Sequence, residues 1–220
     1  MKPARKRVAI LISGRGSNMR SLVEAARDLH YPAEIALVLS NVAAAPGLDF
    51  ARTHGVATAT VDHKLFANRE SFERAMQETL LGQEIDLVCL AGFMRLLTPW
   101  FVGQWRDRML NVHPALLPSY RGLHTHERAL ADGVKIHGAT VHFVAPEMDA
   151  GPIIVQAAVP VLQDDTPDAL AARVLAQEHR IYPLALKLVA GGAAKVVGAR
   201  VLTKSAAPAP APEALLWPAG

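Results

Sequence analysis

Asn111 and His113 stand two residues apart at the end of an apolar run, in "RMLNVHP" (108–114). Alternate residues of a strand share a face, so both side chains can point to one side. An Asn amide donates hydrogen bonds, and a His ring gives or takes a proton near neutral pH. Together they suit an acyl carbon that develops an oxyanion beside a group that must lose a proton. A lone Asn-x-His at a strand end also serves plain structural roles. His113-Pro114 and Leu117-Pro118 stiffen the loop that follows. Downstream, "APEMDAGPII" (145–154) places Asp149 in a Gly/Pro-rich turn. It is either a turn-forming Asp or a carboxylate that orients and charges a histidine.

A second candidate lies near the start. "LISGRGSNMR" (11–20) joins an apolar run to a helical pattern through Gly14, Arg15 and Gly16. Met19 occupies the place of the third glycine of a dinucleotide fingerprint, and no Gly-Lys-Ser/Thr follows as in an NTP loop. What remains is a Gly-x-Gly-Ser-Asn turn. Its amides and the helix start attract an anion, or Ser17 or Asn18 is simply the N-cap. His124, His126, His137 and His142 raise the question of a metal. Their H-x-H spacing, without Cys partners or a His-Glu-x-x-His helix, points instead to structural or supporting roles.

The elements that must carry these residues alternate. Buried strands are expected at 7–13, 34–40 and 85–93, with shorter ones near 56–61 and 108–113. Helices are expected from Met19 to Leu29, at 47–54 and at 69–82, with Ser71–Leu81 amphipathic. This order predicts an α/β fold, a doubly wound, mostly parallel, Rossmann-like sheet. Residues 135–161 read as an antiparallel pair turning at Pro146–Pro152. A helix over 167–180 follows, with Pro183 interrupting it or opening a successor. Residues 195–203 form a final strand or hairpin. One domain spans 1–204, and 205–220 is an Ala/Pro-rich tail expected to be poorly ordered. On such sheets ligands gather at the carboxyl ends of strands. Gly14–Asn18, Phe93–Leu97 and Asn111–His113 would then meet at one edge.

Bulk properties narrow the classes. The chain has 220 residues, 51% hydrophobic and 20% charged, with net charge +3 and no dense Lys/Arg stripe. This argues against nucleic acid as a partner. The apolar run after the basic start is too short for an export signal or a membrane span. A single cysteine, Cys89, reads as a small core hydrophobe. A cytoplasmic protein with no membrane partner is expected.

Five ordered segments resemble one family. They are "AILISGRGSN" (9–18), "LAGFMRLL" (90–97), "LNVHPALLPSYRGLHTHERAL" (110–130), "HGATVHFVAPEMDAGPIIVQ" (137–156) and "AQEHRIYP" (176–183). Together they are similar to the glycinamide ribonucleotide formyltransferases, over roughly residues 7 to 203. The resemblance implies formyl transfer from 10-formyltetrahydrofolate to the glycine amine of 5-phosphoribosylglycinamide, a step of purine biosynthesis. It implies Asn111, His113 and Asp149 as the catalytic trio, with Asp149 helping to keep His113 charged. It implies Gly16, Ser17, Asn18 and Glu178 as contacts of the phosphoribosylglycinamide acceptor. It implies Arg69, Met94, Arg95, Leu96, Leu97, Asn111, Ala145, Pro146, Glu147, Met148 and Asp149 as the folate pocket. No metal is implied, and the protein is a monomer or homodimer. Arg15, Ser119 and Arg121 depart from the family's usual residues. The Asn-x-His-Pro…Leu-Leu-Pro signature is shared with methionyl-tRNA formyltransferases and formyltetrahydrofolate hydrolases. Those carry an extra RNA-binding or regulatory domain, not expected in this chain. A non-catalytic nucleotide-binding module is the remaining alternative, and it leaves the trio without a task.

Overall fold

A computed structural model describes residues 4–204. The tail expected at 205–220 lies outside the described residues. Five parallel strands come first: β1 (Lys6–Ile12), β2 (Ala33–Ser40), β3 (Thr58–Thr60), β4 (Leu87–Leu90) and β5 (Met109–His113). Two antiparallel strands, β6 (Ile136–Phe143) and β7 (Ile153–Pro160), extend the same sheet, in the order β3-β2-β1-β4-β5-β6-β7. A separate hairpin pairs β8 (Ala194–Val197) with β9 (Arg200–Thr203). The sequence order turns back between β1 and β4, the switch point where a crevice opens in such sheets.

The central strands are apolar on both faces because both are covered. Val8, Ile10 and Ile12 of β1 point into one core with Cys89. Helices α1 (Ser17–Ala25) and α6 (Pro167–Ala190) pack there through Met19, Leu22, Leu170, Val174 and Tyr182. Ala9 and Leu11 point to the opposite core, where α3 (Arg69–Gly82) and α4 (Pro99–Gln104) bring Phe72, Met76, Phe101 and Trp105. Helices α2 (Pro46–Thr53) and α5 (Thr125–Ala131) complete the set. Burial pushes the Cys89 thiol up to about 12, as fits a core hydrophobe. No helix among the described residues is long and apolar enough to cross a membrane.

Several sequence expectations are corrected. Helix α1 stops at Ala25, and Leu29 is exposed, because the chain turns through Ala26–His30 instead of completing the apolar stripe. Leu81 is likewise exposed, and α3 buries Phe72, Glu73, Met76 and Leu80. The strand expected over 85–93 is only Leu87–Leu90, since Gly92 takes a left-handed φ of 73°. Pro183 does not break the last helix. Helix α6 runs unbroken to Ala190, and the Tyr31 hydroxyl donates to the Pro183 carbonyl at 2.6 Å. Burial of Ile181, Tyr182, Ala185 and Leu186 around the proline outweighs the ring's missing donor.

Candidate active site

Three chain segments meet at the carboxyl edge of β1, β4 and β5. After β5, the loop to Pro118 is fastened from β6 and β7. The Thr140 hydroxyl donates to Ala115 O at 2.7 Å and accepts from Leu117 N, while Gln156 Nε2 donates to Leu117 O. The Leu117-Pro118 bond is cis. His113, only 5% exposed, projects from the strand end into this frame.

The imidazole of His113 sits between two acceptors. Its Nε2 donates to the Tyr120 carbonyl at 2.9 Å, and its Nδ1 lies 3.4 Å from Asp149 Oδ2. Only a doubly protonated ring donates to both. The Asp149 carboxylate is itself fixed, accepting from Gly122 N–H at 2.9 Å through the same oxygen. Asp149 has a left-handed backbone, φ 53°, which Asp tolerates better than most side chains. The turn that carries it closes tightly on β6. A Cβ at Gly151 would stand 1.7 Å from the Phe143 carbonyl oxygen, so only glycine fits. Arg121 bridges the two loops by pairing with Glu147 at 2.8 Å, a task that explains the residue the resemblance left without one.

Asn111 is aligned by the neighbouring strand. Register pairs it with His142, and Nδ2 faces His142 Nε2 at 3.4 Å. His142 donates from Nδ1 to the Phe143 carbonyl at 2.8 Å, so its Nε2 is free to accept. Burial lowers the His142 pKa, against the pull of the Phe143 carbonyl and Asp149, and so favours this neutral form. The second N–H of the Asn111 amide is then left for the cavity. His142, read from the sequence as structural or supporting, stands between Asn111 and Asp149, whose Oδ1 is 3.8 Å away.

Behind His113 lie two more rings. His126 and His137 meet edge to face at 5.4 Å, and Tyr120 meets His137 at 5.6 Å. Burial lowers the His137 pKa to about 4 and that of His126 in the same direction. Among the described residues no group of three or more His, Cys, Asp or Glu is placed to hold a metal ion.

A cavity of about 480 Å3 opens in front of Asn111, His113 and Asp149. Met94, Arg95, Leu96 and Leu97 form one wall, and Ala145, Pro146 and Met148 another. Arg69 and Glu147 are not among the lining residues. Arg69 takes the first position of α3, where it is exposed, and Glu147 is drawn to Arg121.

The glycine-rich turn adjoins this cavity without lining it. Gly16, not Ser17 or Asn18, is the N-cap of α1, with φ 64° and no side-chain cap. The first amides of the helix therefore remain open to an anion. A Cβ at Gly16 would meet Met19 Cε at 2.9 Å, so the buried Met19 occupies the room that a third glycine would leave. Asn18 Nδ2 donates to Glu178 Oε2 at 2.6 Å, joining the turn to α6. Burial raises the Glu178 pKa, and the Asn18 bond opposes this.

Comparison with known proteins fits this arrangement. The sequence model of the family described as "Formyl transferase" matches residues 6–186. The chain is 45% identical over 189 residues to phosphoribosylglycinamide formyltransferase of Escherichia coli, covering 86% of this chain and 89% of that one. It is 49% identical over 196 residues to the trifunctional purine biosynthetic protein adenosine-3 of Bos taurus, covering 89% of this chain. It spans only 19% of that relative's length. The crystal structure of glycinamide ribonucleotide transformylase 1 from Symbiobacterium toebii superposes with a TM-score of 0.90 at 43% identity, covering 93% of this chain and 96% of that one. The chain belongs to the formyl transferase family.

Proposed function

We propose that this member of the formyl transferase family moves a formyl group from 10-formyltetrahydrofolate to the glycine amine of 5-phosphoribosylglycinamide. The products are formylglycinamide ribonucleotide and tetrahydrofolate, within purine biosynthesis, and residues 1–204 act as one domain. The observation that carries the reading is the His113 ring, held between the Tyr120 carbonyl and Asp149 with Asn111 beside it, at the wall of the cavity. Similarity to enzymes of that name supports the choice of substrates.

The acceptor's phosphate rests on the uncapped start of α1, with Gly16, Ser17 and Asn18 around it and Glu178 reaching its sugar side. The donor fills the cavity between Met94–Leu97 and Ala145–Met148. The amine attacks the formyl carbon, forming a C–N bond and a tetrahedral oxyanion. Asn111 Nδ2 donates to that oxygen, and the charged His113 ring joins it by turning its Nε2–H from the Tyr120 carbonyl while Nδ1–H stays on Asp149. Such preorganised donors are typically worth on the order of 100-fold or more each. Collapse breaks the bond to the folate nitrogen, which takes up a proton as the amine sheds one. Asp149 balances the imidazolium charge and receives protons on the solvent side of the ring. No covalent enzyme intermediate and no metal takes part. The protein works in the cytoplasm, as a monomer or homodimer.

The test is acceptor dependence. Tetrahydrofolate should form only when phosphoribosylglycinamide is present. Release of formate with water alone would assign the protein as a hydrolase instead.

A further inference from the structure

The two loops just assigned to the two substrates are joined by one hydroxyl. Ser13 ends the run from β1 into the glycine-rich turn. Its Oγ donates to Asn41 Oδ1 at 2.6 Å and accepts from Met94 N–H at 2.8 Å. Its own N–H donates to the Gly92 carbonyl at 3.1 Å. Ser13 therefore grips both Gly92 and Met94, the entry to the 94–97 wall of the cavity. Asn41, 2% exposed, is held in turn by the His63 ring, whose Nδ1 lies 3.1 Å from its side-chain amide and 3.0 Å from its carbonyl. The hydroxyl has one donor and one acceptor role in this chain, and both are filled.

The far end of the same wall is anchored differently. Glu73, fully buried, accepts from Thr98 N–H at 2.8 Å and from the Thr98 hydroxyl. That anchor comes from α3 and has no hydrogen bond to the glycine-rich turn. The wall thus has one end shared with the anion turn and one end independent of it.

We propose that Ser13 is a positioning residue that couples the two substrates, so that filling the turn after β1 orders the 94–97 wall for the donor. This rests on the substrate assignment above. When an anion settles on the amides of Ser17 and Asn18, the turn is fixed from Ser13 onward, and Met94 is fixed with it. Donor binding then loses less conformational freedom. Linkage requires the converse: donor binding tightens acceptor binding by the same factor.

Calorimetry on the whole chain tests this with tetrahydrofolate, which has no formyl group to transfer. Its affinity is measured with and without saturating phosphoribosylglycinamide. The wild-type protein should gain at least about 5-fold in affinity from the acceptor, within the usual range of coupled sites. Ser13→Ala should reduce that ratio to below about 2-fold, and Ser13→Thr, which restores the hydroxyl, should recover it. Thr98→Val loosens the independent end. It should weaken tetrahydrofolate about equally in both arms and keep the wild-type ratio. A wild-type ratio near one, a Ser13→Ala ratio like wild type, or loss of the ratio in Thr98→Val would each overturn the coupling role. Failure of the wild-type protein to bind either ligand would instead overturn the substrate assignment, and the coupling with it.

Discussion

The turn after β1 and the loops around His113 achieve precision by opposite means. In the first, a left-handed backbone is given to glycine, and the groups left open are the main-chain amides at the start of α1. In the second, left-handed backbone falls on Tyr120, His124 and Asp149, and the groups that face the cavity are side chains. Each of those residues accepts some backbone strain. Gly122 N–H holds the Asp149 carboxylate against it, while Thr140 and Gln156 fasten the loop before Tyr120 at Ala115 and Leu117, and Arg121 fastens the Asp149 turn at Glu147. A site made of amides tolerates changes of side chain but not of backbone. A site made of side chains fails when one group is removed.

The largest expected effect breaks the second region by a single deletion. His113→Ala should lower turnover by about 1000-fold, the upper range for loss of a preorganised donor. Acceptor binding, measured by calorimetry, should stay within a factor of about two, since the first region is untouched. Turnover near wild type would remove His113 from the chemistry.

Acid separates the two regions by sign. His137 has its pKa lowered by burial from the ordinary 6.5 to about 4. The unfolded chain then binds the proton more readily, so stability present above about pH 6.5 is lost as pH falls toward 4. The loss amounts to about 3 kcal/mol. His126 and His142 add to it in the same direction. Glu178 works the other way beside the glycine-rich turn. Its raised pKa favours the protonated form in the fold, so its contribution is present at low pH and fades as pH rises. Melting temperature should therefore fall steeply between pH 6.5 and 4, and His137→Phe should flatten the curve. An equally steep fall in that variant would show that His137 is not the main source.

The smallest effect tests the backbone site. Gly16→Ala forces a Cβ into left-handed geometry and toward Met19, at about 1–2 kcal/mol. The KM for phosphoribosylglycinamide should rise on the order of 10-fold, since 1.4 kcal/mol is a decade. The donor KM should move less. Equal changes in both, or in kcat alone, would argue against an acceptor role for this turn.

The same contrast explains what the sequence discloses. Strands β1, β4 and β5 are legible as apolar runs covered on both faces, and helix α3 by an apolar face that repeats along it. Helices α4 and α5, of 6 and 7 residues, are too short to show a period. Pro183 and Leu29 mislead because local propensity yields to tertiary packing in one case and to an early turn in the other. The types and spacing of Asn111, His113 and Asp149 make them candidates, yet their meeting depends on β5–β6 register and on a turn that folds back over β6. The position of His142 beside Asn111 exists only across strands and is invisible along the chain. Arg69, which the resemblance assigns to the folate pocket, heads α3 and is not among the residues that line the cavity.

The bond between Asn18 and Glu178 spans 160 residues. During synthesis the glycine-rich turn leaves the ribosome 160 residues ahead of its acidic partner. At about 5–20 residues per second, the interval is on the order of 10–30 s. During that time an anion could meet the bare amides, but the corner that α6 closes is not yet built. The order of synthesis thus leaves the Asn18 side of the turn without its partner until α6, the last helix among the described residues, has been made.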